Sequence, residues 1–234
     1  RTERGLNDKF VVFWNNRNAR RKQSGTLIWW FKEFLDKVGH DKAALIMHTD
    51  VKDVHGQDLE AIIHELGLTN GEVLFSREKV APKDLAAMYN MADVTANIAD
   101  AEGFGLGTLE SLSCGTPILV TMTGGLQFQV TDGDQWFGRG LEPTSKAIIG
   151  SQGVPYIYED RIEQEQFVDA MVELYEMGNA GRAELGAAGR EFTQKHFNFD
   201  DFIQRWDDLF TSLSEEKGSW DSREGYKSYD VRTY

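Results

Sequence analysis

Six short apolar runs punctuate this chain, at residues 9–14 (KFVVFW), 43–48 (AALIMH), 73–75, 94–98, 118–121 (ILVT) and 155–158. Most are apolar throughout rather than alternating with polar residues, which is the pattern of strands covered on both faces. Between them lie stretches with apolar residues at helical spacing. In 24–38 these are Leu27, Ile28, Phe31, Phe34, Leu35 and Val38; in 58–66 they are Leu59, Ile62, Ile63 and Leu66. Further helices are expected over 82–91, with Pro82 in the tolerant first turn, and over about 108–114. Strand alternating with helix restricts the chain to the α/β class. The expected fold is a doubly wound parallel sheet with helices on both faces. Three helices, over about 162–177, 180–196 and 200–214, add a C-terminal helical extension. Residues 132–154 are glycine-rich and read as irregular.

Ligands of doubly wound sheets lie at the carboxyl ends of the strands. Two unusual segments follow strands and are therefore expected on that edge. The first is residues 100–110 (DAEGFGLGTLE), in which Glu102 and Glu110 bracket seven residues containing three glycines and a threonine. Glycine lets a backbone turn tightly and approach a ligand closely. A helix starting there aims unpaired amides and the positive end of its dipole outward, which suits a phosphate. The flanking carboxylates repel phosphate but accept hydrogen bonds from hydroxyls, which sugars supply. The plainer reading is a loop that only turns a strand into a helix. The segment is not the dinucleotide fingerprint, which belongs after the first strand, and no Gly-Lys-Ser/Thr makes it a P-loop.

The second segment is Asn15-Asn16-Arg17-Asn18-Ala19-Arg20-Arg21-Lys22, with four cations in six residues. A solvated patch is the bland alternative. In a chain of net charge −13, cations gathered at a strand end ask for a partner. Arg17 and Lys22 are expected to reach an anion from the side opposite the glycine loop, with Arg20 and Arg21 outward. Together the two segments read as a diphosphate clamp without a metal. Trp29 and Trp30 read as core, Cys114 as a small packed residue, and His48 as a histidine at a strand end.

The acidic balance argues against a general nucleic-acid or anionic-membrane binder. One cysteine excludes an internal disulfide framework. No apolar run approaches the roughly 20 residues of a membrane span and no signal peptide is visible, so a cytoplasmic location is expected. Residues 1–9 read as a linker remnant, 10–214 as the α/β domain with its helices, and 215–234 as a polar tail with Trp220, Tyr226, Tyr229 and Tyr234.

Glu102 through Glu110, followed by Ser-Leu-Ser-Cys-Gly-Thr-Pro, resembles the donor-binding, C-terminal half of retaining GT-B glycosyltransferases of family 4, the glycogen-synthase-like and mannosyltransferase-like group. Arg17 and Lys22 look like that family's diphosphate pair, 84–94 like its preceding helix, and Thr123-Gly124-Gly125 like its next glycine turn. The fold implied is Rossmann-like, one half of a GT-B enzyme. The resemblance implies that Glu102 holds hydroxyls of the transferred sugar and that Phe104, Gly105, Leu106, Gly107 and Thr108 present amides to the diphosphate and sugar. Glu110 would hold the ribose diol, and Arg17 and Lys22 would neutralise the leaving group. The base would pack near Arg77 to Val80.

The family is metal-independent and needs no cofactor beyond a UDP-, GDP- or ADP-sugar donor. Family members usually carry glycine before the arginine and after the lysine, where this chain has Asn16 and Gln23. The partners expected are the nucleotide-sugar, an acceptor of unread class (glycan, lipid or protein), and an acceptor-binding domain, a separate chain or a second copy. The rival reading is a non-catalytic nucleotide-sugar-binding subunit completed by another chain.

Overall fold

The computed structural model describes residues 1–218; the tail aromatics expected from Trp220 onward lie outside them. Six parallel strands form the main sheet in the order β3-β2-β1-β4-β5-β6. They are β1 Phe10–Asn15, β2 Ala43–His48, β3 Val73–Ser76, β4 Val94–Asn97, β5 Ile118–Thr121 and β6 Gly138–Leu141. The helices are α1 Ser24–Val38, α2 Leu59–Glu65, α3 Pro82–Met91, α4 Leu106–Ser113, α5 Gln164–Glu176, α6 Gly178–His196 and α7 Phe199–Lys217. A separate antiparallel pair, β7 Ser145–Ile149 and β8 Ile157–Arg161, forms a hairpin between β6 and α5.

Both faces of the sheet are covered, as the unbroken apolar strands require. Val12, Trp14, Leu45 and Met47 point to one face, where Leu27, Phe31 and Phe34 of α1 meet Phe167 and Met171 of α5. Val11, Phe13, Ala44 and Ile46 point to the other and pack with Tyr89 of α3. Ile118 and Val120 continue that cover with Leu112, Val130 and Phe137.

Chain order runs β1-β2-β3 to one side of β1 and β4-β5-β6 to the other. The loops after β1 and after β4 therefore part in opposite directions and leave a crevice at their carboxyl ends.

Several local expectations change. Helix α4 begins at Leu106 rather than near Thr108, so Leu106 and Gly107 belong to its first turn. The stretch 132–154 is not irregular throughout, since it holds β6 and β7. Trp30 is buried in the core, but Trp29 is half exposed. The first residues are docked on the domain. Arg1 donates to Asp93 at 2.8 Å and to the Met91 carbonyl at 2.7 Å, and Leu6 is buried.

Two compact units are present, Arg1–Thr193 and a second from Gln194 onward. In the second, Asn198 caps α7 by accepting from the Asp200 and Asp201 amides. None of the α7 residues is buried, and Phe202, Trp206 and Phe210 lie along one stripe with their rings in contact.

Candidate donor-binding crevice

The loop after β4 is shaped by contacts that only glycine allows. Gly105 stands ahead of α4 at φ +87°, and a Cβ there would lie 2.6 Å from Leu126. A Cβ on Gly107 would meet the Asn15 carbonyl at 3.0 Å, so the first turn of α4 is set against the end of β1. No side chain caps that helix. Its first amides have no partner within the helix and face the crevice end of the fold. The Thr108 hydroxyl is not turned to a ligand. It is buried, 2.8 Å from the Gly105 carbonyl and 2.6 Å from the Gln129 side chain. Gln129 in turn donates to the Phe104 carbonyl at 2.6 Å. The Thr123-Gly124-Gly125 turn braces the same loop, with the Gly125 amide donating to Gly103 at 2.9 Å.

Lys22 lies opposite. The short helical turn Arg20–Lys22 puts its side chain in the interior, where Nζ donates to Glu102. The loop after β1 and the glycine loop therefore meet through these two residues. Burial pulls the Lys22 ammonium below its ordinary range, with Glu102 acting in the other direction.

Arg17 is placed differently. Its guanidinium is mostly exposed and paired through two nitrogens with Asp53, at 2.6 Å and 3.0 Å, on the loop after β2. That pairing holds the Asp53 carboxyl down to about 2. Arg20 and Arg21 are both exposed, as expected, and both are also paired. Arg20 donates to Glu159 at 2.9 Å, and Arg21 to the Ala101 carbonyl at 2.6 Å.

Glu110 lies on the exposed side of α4 and accepts from the Tyr89 hydroxyl at 2.8 Å, which itself accepts from Asn15 at 2.8 Å. Burial drives the Tyr89 phenol above its ordinary value, so it stays a donor. Asn15 and Tyr89 orient Glu110, and sequence patterning did not single them out. The nearest signal was their position, Asn15 at a strand end and Tyr89 on the helix before β4. An open cavity of about 280 Å³ between α3 and α4 is lined by Pro82, Leu85, Tyr89, Leu106 and Glu110. Val80 is half-buried just before α3. The neighbouring Arg77 is engaged by Glu60 at 2.5 Å. Among the described residues, no group of three or more His, Cys, Asp or Glu is arranged to hold a metal ion.

Gln23, at the position where the resembled family usually carries glycine, has φ +55° and is the one non-glycine residue in the left-handed region among those described. That backbone explains the glycine preference. Here the Gln23 side chain holds the position by donating to Asp100 at 2.5 Å and accepting from Thr26 at 2.6 Å.

Residues 3–191 match the family described as glycosyl transferases group 1. The D-inositol 3-phosphate glycosyltransferase of Corynebacterium jeikeium (strain K411) is 32% identical over 126 residues, covering 53% of this chain and 30% of that protein. The same-named protein of Corynebacterium urealyticum is 32% identical over 149 residues, covering 56% of this chain and 34% of that protein. Among solved structures, sucrose-phosphate synthase from Thermosynechococcus elongatus superposes with a TM-score of 0.69 at 23% identity, over 89% of this chain and 46% of that one. Anabaena HepE in complex with UDP-glucose gives 0.67 at 18% identity, over 91% and 51%. The matched part spans about a third of those curated relatives and about half of those solved chains.

Proposed function

The chain belongs to the glycosyl transferases group 1 family, and from that premise we propose that it is the nucleotide-sugar-binding half of a retaining, metal-independent glycosyltransferase. The observation that carries this reading is the meeting of Lys22 and Glu102 across the crevice, beside the uncapped start of α4. A diphosphate fits between a buried ammonium and a row of helix-end amides, because both supply fixed positive potential. Glu102 then serves the transferred sugar and Glu110, oriented by Tyr89, the ribose diol. The nucleoside extends toward the cavity between α3 and α4 and the turn at Arg77 to Val80. Arg17 leaves Asp53 to reach the diphosphate as it binds. HepE, crystallised with UDP-glucose, is a structural neighbour that fits this ligand class.

In the reaction, the bond between the anomeric carbon and the diphosphate oxygen breaks. The pyrophosphoryl group leaves with both electrons, stabilised by Lys22, Arg17 and the α4 amides. An acceptor hydroxyl forms the new bond on the same face, and its proton passes to the departing phosphate. No histidine base is needed in this half.

Calorimetric titration with UDP, GDP and ADP tests the site. Glu110→Ala should weaken the nucleotide that binds by about tenfold or more, the loss of a charge-assisted hydrogen bond. Arg17→Ala should weaken it as well. Unchanged affinity in both removes the assignment. Glu102→Gln, which keeps an acceptor for Lys22, should weaken the sugar conjugate more than the free nucleotide; an equal loss for both ligands contradicts its role. Hydrolysis of the bound donor by the chain distinguishes an active half from one that only binds.

A further inference from the structure

The β7–β8 hairpin reaches the crevice through charged groups. On β8, Arg161 donates from Nη1 to Asp100 at 2.6 Å and from Nη2 to Glu159 at 2.9 Å. Both carboxylates are buried. Glu159 also accepts from Arg20 at 2.9 Å, and Asp100 from Gln23. Backbone bonds close the ring. The Asp160 amide donates to the Asp100 carbonyl at 2.7 Å, and the Asp100 amide to the Arg21 carbonyl at 2.8 Å. One network therefore ties β8 to the loops after β1 and β4. Arg21 and Gln23 flank Lys22, and Glu102 lies two residues beyond Asp100.

Two buried carboxylates facing two guanidiniums are balanced. Taking away one partner leaves a buried charge uncompensated, which costs far more than the pair contributes. Gln23 gives a second reason why the network is needed. A left-handed backbone at a residue with a side chain persists only where its surroundings over-determine it. Asp100, held by Arg161, supplies that constraint.

We propose that Arg161 is a positioning residue for the donor site: through Asp100 and Glu159, the hairpin fixes the two loops that set Lys22 against Glu102. Arg161 acts through those side chains and not on the donor. The positioning role rests on the donor-site reading above, and two separate readouts keep the two apart.

Arg161→Met and Arg161→Lys are compared with the unaltered protein. The first readout is amide hydrogen exchange at residues 19–23 and 100–104 without ligand; the second is titration with UDP, GDP and ADP. Arg161→Met should speed exchange in both loops and weaken the bound nucleotide, each by about tenfold or more. Arg161→Lys should recover part of both, because it restores the charge beside Asp100 without bridging both carboxylates. Unchanged exchange and affinity in a folded Arg161→Met protein overturns the proposal, as does a lysine variant no better than methionine. If Arg161→Met does not fold, Glu159→Gln carries the test; it should speed exchange in residues 19–23, and no change there overturns the proposal. If the unaltered protein binds none of the three nucleotides while Arg161→Met still speeds exchange, the donor-site reading fails and the hold on the two loops stands.

Discussion

Lys22 and Arg17 come from one basic cluster but have different physics. Lys22 is buried, so water screens it little, and an anion placed beside it shares its charge with Glu102, its present partner. Its folded-state pKa is below the ordinary lysine value of 10.5. Between those two values the unfolded chain holds the extra proton, so stability rises with pH through that window. Nucleotide affinity should move the opposite way, falling as Nζ loses its proton at pH values where an ordinary lysine is still charged. Titrations at increasing alkaline pH check this. The unaltered protein should lose affinity while Lys22→Met stays flat, and parallel profiles would contradict the role of Lys22.

Arg17 is exposed and held by Asp53, so on the proposed reading an incoming diphosphate would compete with that carboxylate. Asp53→Asn should raise nucleotide affinity modestly, by at most about fivefold, the scale of an exposed ion pair. A loss of affinity in the titration would mean that Asp53 steers Arg17 toward the ligand instead of retaining it.

At the scale of elements, the glycine loop and the Gly124 turn are two surfaces shaped to each other. A Cβ on Gly124, already at φ +50°, would lie 1.6 Å from the Glu102 carbonyl oxygen. Gly103 has open space around the same position and an ordinary φ. Gly124→Ala should therefore destabilise the protein by about 1–3 kcal/mol and weaken nucleotide binding, whereas Gly103→Ala should leave both nearly unchanged. Denaturant unfolding and titration of the two variants give the comparison, and similar behaviour would show that the turn does not shape the loop.

These elements also show what was legible beforehand. Strands β1, β2 and β5 declare themselves as apolar runs, and α1 and α3 by spacing and by Pro82, so the doubly wound sheet could be read directly. Strand β6 could not, because Gly138 and Gly140 make it look like a loop. Its reason is in the pairing, where a Cβ at Gly138 would fall 1.8 Å from the Ile118 carbonyl. Strand β8 runs on into Glu-Asp-Arg, so an apolar criterion stops at Tyr158 and misses the residues that enter the crevice. Lys22 and the glycine loop were legible as motifs. Asp53, Tyr89 and Arg161 were not, because each acts through a contact between residues distant in sequence.

Across the whole molecule, the strand order does most to organise function. Reversal of direction between β1 and β4 brings together two loops about 80 residues apart, Lys22 on one and Glu102 on the other. The three apolar cores draw on residues from Leu6 to Phe192 and give those loops a rigid base. No helix among the described residues is long and apolar enough to cross a membrane. The matched part accounts for about half of each solved chain compared. The proposed donor site can be tested on this chain. Its most direct test is a crystal structure with whichever of UDP, GDP or ADP binds most tightly. The account predicts the diphosphate within hydrogen-bonding distance of Lys22 Nζ and of the amides between Gly105 and Thr108, with the ribose against Glu110. A nucleotide bound away from the carboxyl ends of β1 and β4 would contradict it.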